Sequence, residues 1–483
     1  MDRTMSVAGS VGRVEPDPRR WRALALLGTA FFMVILDGTI VLTAVPSMRE
    51  DLRLSVGGVQ WVITAYALTF GGLMLFCGRA ADLFGRRRVF MTGVALFAAS
   101  SLLCGLAWSG GVLIAARVVQ GLAAAIMAPS ALSLVMTTFP EGAERNKALG
   151  VWGGLGGIGA TAGLLIGGVI TSGLGWEWTF FINVPIGLAL LAVSPVLLRE
   201  SRDRAGARAL DPAGAVSITA ALVLLVYAVF RAPQVGWASV QTLGMLAGSA
   251  ALIGVFVAVE ARVAAPLVPL RLFRLSTLVG GNVVIFAVGM AVDGMLFILT
   301  LYAQQVLGYS AVQFGLMTAV MTVMAILGAL IGQSIVTRVG VRPVAAVSML
   351  LVSIGCALLI WVSPGGSYVR DILTGLLIFG PGMGAAFVAA QIAALTGVAE
   401  RDSGLASGLV DTSFNLGAAI GIAVVSTVAV TRTNTILAAG NQTEPLTALT
   451  EGFQAAFLIT TAFAILGLIA TLLLPTTARP ASA

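Results

Sequence analysis

Fourteen times between Trp21 and Leu474 the chain passes through a long, almost wholly apolar run. A helix rising about 1.5 Å per residue needs roughly 20 residues to cross the ~30 Å hydrocarbon layer of a bilayer. The runs occupy approximately 23–45, 57–77, 89–107, 112–138, 149–172, 179–198, 213–230, 240–260, 276–306, 311–336, 343–363, 372–397, 404–430 and 453–474. Composition agrees, with 58% hydrophobic and 10% charged residues, where a soluble domain carries about a quarter charged. The expected fold class is therefore an all-α integral membrane protein with fourteen transmembrane helices.

The formal charge of +7 does not point to nucleic acid, because the basic residues sit in short loops and no basic domain exists. Their distribution reads topology instead. With the N-terminus placed inside, the tails and inner loops hold 22 Arg or Lys against 5 in the outer loops, and Arg117 lies within a helix. The excess predicts a multi-pass protein of the cell membrane with both termini cytoplasmic. The first twenty residues are polar and carry no short apolar run before an A-x-A-like site, so the first span is expected to remain uncleaved. Cys77, Cys104 and Cys356 lie in or beside apolar runs at no metal-ligand spacing and are expected to serve packing. No metal site or cofactor is implied.

One inner loop stands out. "LFCGRAADLFGRRRVF" (75–90) concentrates charge between the second and third spans, and Gly78, Asp82, Gly85, Arg86 and Arg87 follow G-x-x-x-D-x-x-G-R-R. Orientation explains the arginines but not Asp82. Helical spacing puts Asp82 within pairing reach of Arg86 and Arg79. A weaker echo, "QSIVTRVGVRPV", joins the tenth and eleventh spans, with Gly340 matching Gly85 and Arg342 matching Arg87. Such an echo predicts two homologous bundles. The expected organisation is a tail at 1–20, a six-helix bundle at 21–200, two extra helices with flanking loops at 201–275, a second six-helix bundle at 276–474 and a tail at 475–483.

These motifs together resemble the major facilitator superfamily, in its fourteen-helix drug:proton antiporter branch. "LDGTIVLTAVP" keeps Asp37, Thr39 and Pro46 of a first-helix motif, and "RVVQGLAAA" supplies Arg117, Gln120 and Gly121 of an R-x-x-Q-G motif. Gly150, Gly159, Gly163, Gly167 and Gly168 resemble the antiporter motif of the fifth helix, and "WEWTFFINVPIG" follows. Two positions depart from the pattern: Leu164 replaces a proline and Leu42 an asparagine. The resemblance implies that the 78–87 motif latches the two bundles together on the cytoplasmic side.

An ionised group at mid-membrane costs at least ~2.5 kcal/mol, so each one is a functional candidate. There are four, Asp37, Arg117, Asp293 and Asp411, and the chain has no histidine. A proton carrier is therefore expected among these carboxylates. At the helical rise, Asp37 lies roughly 13 Å and Arg117 roughly 9 Å from the outer ends of their helices, compatible with a pair. That pair is either a coupling device or a static buried contact. Asp293 shares a face with Met290, Phe297 and Gln304, a combination suited to a lipophilic cation or to a protonated interhelical hydrogen bond. Asp411 aligns with Gly404, Gly408 and Asn415, on a small polar face that serves either a proton site or a structural bond. Asp37, Arg117 and Asp411 are the candidates for proton coupling. Asp293, Met290, Phe297, Gln304 and Asn415 are the candidates for substrate contact.

No G-x-x-x-x-G-K-[ST] pattern is present, which excludes direct ATP drive through a P-loop, and no catalytic constellation suggests an enzyme. The expectation is a monomeric carrier that exchanges protons for hydrophobic or cationic small molecules, the alternative being a proton-coupled importer. Fluorescent protein fused to either terminus should fluoresce and alkaline phosphatase fused there should be inactive. The reverse at either end would overturn the topology.

Overall fold

The computed structural model describes residues 18–54, 56–201, 211–263, 266–439 and 444–474. The expected tails lie outside these residues apart from 18–20, as does 202–210 of the segment before the extra helices. The described chain forms fourteen membrane-length helices: α1 Arg20–Asp51, α2 Trp61–Phe84, α3 Arg86–Gly105, α4 Gly110–Thr138, α5 Ala143–Leu174, α6 Trp178–Leu197, α7 Ala213–Val235, α8 Val240–Glu260, α9 Ser276–Gln305, α10 Val312–Val339, α11 Val341–Trp361, α12 Tyr368–Leu395, α13 Glu400–Ala438 and α14 Pro445–Leu473. Several overrun their apolar runs, α1 and α13 most clearly. Hydropathy marks where the side chains turn polar, whereas the backbone goes on pairing with itself beyond that point.

Packing repeats. Helix α1 packs on α5, α2 on α4, and α3 on α4 and α6; in the same order α9 packs on α13, α10 on α12, and α11 on α12 and α14. The turns repeat as well. Gly85 (φ 103°) and Gly340 (φ 89°) are single-residue junctions, α2 to α3 and α10 to α11, in a left-handed region that costs glycine little. The loop echo in the sequence thus marks structurally equivalent corners. The halves meet along two seams, α5 against α10 and α2 against α13. Helices α7 and α8 pair with each other, and α7 also rests on α2 and α13.

The glycines of α5 divide between two partners. A Cβ at Gly159, Gly163 or Gly167 would lie 3.3, 2.9 or 3.0 Å from the carbonyl oxygens of Phe32, Leu36 and Ile40 on α1. The four-residue spacing on both helices lets their backbones run in contact. Gly150 and Gly168 instead face Gln333 and Val312 on α10, where a Cβ would come within 2.7 and 2.9 Å of side-chain carbons. Thr161 and Thr322 hydrogen-bond on that same seam. One helix therefore carries an intrabundle glycine stripe and an interbundle one. Overpacking costs about 1–3 kcal/mol, so Gly163→Ala should lower the thermal midpoint in detergent, whereas Gly173→Ala, which meets nothing within 4 Å, should not. Equal midpoints would remove the stripe from the packing argument.

Candidate functional site

The first site is a buried polar network inside the first bundle. Gly121 on α4, where a Cβ would sit 2.5 Å from the Tyr66 carbonyl oxygen of α2, lets the two helices approach closely. From the same stretch of α4, Arg117 Nη1 donates to Asp37 Oδ2 at 2.6 Å, and Gln120 Nε2 donates to Asp37 Oδ1 at 2.8 Å. Asn183 Nδ2, on α6, adds a third donor to Oδ1 at 2.9 Å. Arg117 also donates to Gln120 Oε1 at 2.7 Å and to the Val62 carbonyl at 3.2 Å. Its guanidinium carbon stands 4.1 Å from the Tyr66 ring centroid, a cation–π contact. Asp37 is wholly buried and Arg117 is 1% exposed. Charge-assisted bonds of this kind are short and strong, and one such pair from two helices rigidifies the α1–α4 contact.

Beside this network, a cavity of about 440 Å³ lies between the bundles. Its aromatic lining comprises Phe31, Tyr66, Phe70, Phe230, Phe387 and Phe414, and its charged lining Arg117, Asp293 and Asp411. Arg117 thus borders the cavity, and Asp37 lies behind it. Asp411 Oδ2 is buried with no hydrogen-bond partner among the described residues, and neither Asp411 nor Asp293 has an ion-pair partner there. Asn415 also lines the cavity, donating to the Asp411 carbonyl at 2.8 Å and to Met74 Sδ at 3.6 Å. Of the face expected on α9, only Asp293 borders the cavity. Met290 is turned to α13, where its backbone meets Gly421, Phe297 packs into the core, and Gln304 is exposed near the helix end. The cavity stripe of α9 is instead Val288, Val292 and Leu296 with Asp293. Two close contacts with α13, Gly289 on the Phe414 carbonyl and Gly421 on Met290, set this rotation. Helical spacing alone could not supply it.

The third arrangement lies at the α2–α3 loop. Asp82 Oδ1 and Oδ2 accept from the backbone N–H groups of Gly404 and Leu405, both at 2.9 Å. A carboxylate of the first bundle therefore caps α13 of the second, where exposed N–H groups and the helix dipole favour an anion. Arg86 pairs with Asp82 at 2.6 Å and donates to the Glu400 carbonyl at 2.5 Å. The expected pairing of Asp82 with Arg79 does not form. Gly78 belongs to the same contact, since a Cβ on it would lie 2.4 Å from the Gly404 carbonyl oxygen. Arg87 and Arg88 instead tie the loop to the segment that follows α6, Arg87 donating also to the Leu198 carbonyl at 3.2 Å. Their backbone N–H groups donate to Glu200 at 3.2 Å each, and a Cβ on Gly85 would strike that carboxylate.

Bonds between the bundles are unevenly placed. Near this loop, Ser133 bonds Ser403 at 2.8 Å, Gly397 donates to Glu141 at 3.0 Å and Asn146 donates to Thr337 at 3.1 Å. Among the described residues, every other hydrogen bond between the bundles lies at mid-depth, on Thr161 and Asn415. The molecule is closed at one end of the cavity.

The profile of the Major Facilitator Superfamily matches residues 27–422 and 281–483. The chain belongs to that superfamily. It is 36% identical over 93% of its length to the puromycin resistance protein of Streptomyces alboniger, covering 89% of that protein. It is 38% identical to the cephamycin export protein of Amycolatopsis lactamdurans, over 87% of each chain. The multidrug resistance protein Stp of Mycobacterium tuberculosis is 35% identical, over 84% of this chain and 75% of its own. Among solved structures, the human organic anion transporter MFSD10 superposes with a TM-score of 0.67 at 17% identity, over 94% of this chain and all of that one; at that identity the likeness is one of fold. This superfamily member is accordingly a multi-pass membrane transporter and not an enzyme, close to fourteen-helix drug and antibiotic exporters.

Within it, sequence reasoning paired Asp37 with Arg117 but missed Asn183, Tyr66, Glu200 and the backbone partners of Asp82. Asn183 lies in the quoted "WEWTFFINVPIG", so its position was visible though its partner was not. Removing one partner of a buried ion pair costs about 3–5 kcal/mol, whereas losing a hydrogen bond to a charged group costs about 1.5–3 kcal/mol. Asp37→Ala should therefore destabilise the folded protein more than Asn183→Ala in thermal unfolding. The opposite order would show that Arg117 does not depend on Asp37 as its counter-charge.

Proposed function

We propose that this transporter exports hydrophobic or cationic small molecules in exchange for protons, by alternating access, as a monomer in the cell membrane with both termini cytoplasmic. The observation that carries the reading is the cavity between the bundles. It is apolar and aromatic, it holds two acids without ion-pair partners among the described residues, and it is bounded by the guanidinium of a buried ion pair. Apolar walls take up lipophilic surface, and Asp293 and Asp411 attract positive charge. The relatives' names, puromycin resistance, cephamycin export and multidrug resistance, favour export over import.

Coupling follows from the Asp37 network. A protonated Asp37 no longer balances Arg117, whose guanidinium already borders the cavity. Positive charge then rises beside the bound cation and favours its release. The latch gives this local event a global readout, because Asp82 bonds α13 only while the bundles meet at that end. Asp82→Asn keeps an acceptor oxygen but loses the charge that matches Arg86 and the helix terminus, so it should fold and transport poorly. The glycines of α5 keep the α1 and α10 contacts close, so that the bundles move as rigid bodies.

The direct test uses inside-out vesicles holding a pH-sensitive dye, energised so that the lumen is acidic and challenged with ethidium or tetraphenylphosphonium. Wild type should release luminal protons when the cation is added, and Asp37→Asn should not. Release triggered only by cation preloaded in the lumen would make the chain an importer. Equal release by Asp37→Asn and wild type would take Asp37 out of the coupling path.

A further inference from the structure

Helix α7 belongs to neither bundle, yet it is not peripheral. Successive residues of a helix are turned by about 100°, and that geometry sorts its side chains into four faces. Val223 lies against α2, where a Cβ on Gly72 would come 2.4 Å from its methyl carbon, and Tyr227 stacks on Trp61 of α2 at 6.1 Å. On another side Val229 clusters with Ala419 and Ala423 of α13, and Leu225 packs against that cluster. A third face holds α8, with Ser249 donating to the Ala221 carbonyl at 2.8 Å and a Cβ on Gly248 falling 3.2 Å from Leu224. The fourth face, between the α2 and α13 sides, is Leu222, Val226 and Phe230, and all three line the cavity between the bundles.

We propose that α7 is a wall of the substrate cavity, and that Leu222, Val226 and Phe230 set the size of substrate it admits. The proposal rests on the reading of this cavity as the transport site. The seam between α2 and α13 closes by direct contact near the latch, where Gly78 meets Gly404 and the Met74 carbonyl meets Gly408, and as far as the bond from Asn415 to Met74 Sδ at 3.6 Å. Higher up, α7 occupies the gap, tied to α13 by the bond from Trp237 Nε1 to Thr427 Oγ1 at 2.8 Å. Among the described residues, the opposite seam, α5 against α10, has no covering helix from outside the bundles. The cavity is thus asymmetric in that one stretch of its apolar wall comes from a helix outside the two bundles, through three replaceable side chains at four-residue spacing. The residues of α7 carry no charge there, so they select by shape and leave charge recognition to the acids of the second bundle. The twelve helices of the repeated bundles hold the coupling groups, and the inserted helix tunes what they carry.

Two measurements test this. The first needs no substrate. Val226→Cys should react with a hydrophilic methanethiosulfonate reagent in proteoliposomes, whereas Val255→Cys, on the exposed outer side of α8, should not, because a lipid-facing thiol meets no water. Equal labelling of the two would overturn the proposal. The second compares ethidium with the bulkier tetraphenylphosphonium. A change of one side chain in an apolar pocket alters discrimination by about tenfold, so Phe230→Ala should shift the ratio of the two efflux rates toward the larger cation and Val226→Trp toward the smaller. Unchanged ratios in both variants, at rates near wild type, would refute a role in selection. A wild type that moves neither cation would count against the transport reading, while the labelling result would still decide whether α7 faces the cavity.

Discussion

A carboxylate of one bundle completes a helix of the other. The N-terminus of α13 would present unpaired backbone N–H groups at a protein–protein seam, and Asp82 takes up two of them while Arg86 balances its charge. Because burying an unmatched acid is costly, this contact is favourable only when complete. The close approach of Gly78 and Gly404 brings the partners within range, and the surrounding bonds of Ser133, Glu141 and Asn146 add to the closure of that end. The cavity is closed at that end because the bundles meet there through these bonds, whereas beyond mid-depth they meet along the α5–α10 seam, as at Gly168 and Val312. Every functional property argued for this transporter depends on that uneven closure.

Charge is divided between the bundles in a complementary way. In the first, Asp37 is held by three donors and its arginine by a ring face and a backbone carbonyl, so neither ion lacks compensation. In the second, Asp293 and Asp411 border the cavity without charged partners among the described residues. An acid at membrane depth persists where a proton or a cation offsets the cost of its charge. The unpaired acids line the cavity and the paired one lies behind Arg117, which also lines it; in the proposed mechanism a proton on Asp37 changes the field felt by a ligand in the cavity. The inserted helix α7 stands outside this exchange and bounds the space in which it occurs.

Much of this was legible in the sequence, for identifiable reasons. Helix number follows from hydropathy because the bilayer leaves the backbone few alternatives. The corner glycines at 85 and 340 were legible because a left-handed junction favours glycine, and Asp37 and Arg117 because charge at membrane depth is rare. The α5 glycines were visible as a spacing, but their division into one stripe for α1 and another for α10 was not. The α9 face failed for the same reason. Periodicity groups Asp293 with Met290, Phe297 and Gln304, yet the helix is rotated by its glycine contacts with α13 and is longer than the cavity is deep, so most of that face never reaches it.

The sequence by itself determined that this chain spans a membrane fourteen times, in two related halves, with four charged positions inside. Tertiary structure alone decided that Asn183 and Gln120 share Asp37, that Asp82 caps a helix some three hundred residues away, and that α7 closes the cavity. Hydropathy and rare residues are properties of one position in one solvent, and they can be read along the chain. Which backbone amide meets a carboxylate, and which face of a helix meets a cavity, depend on how two bundles pack. That packing is decided by many weak contacts at once, none of them local in sequence.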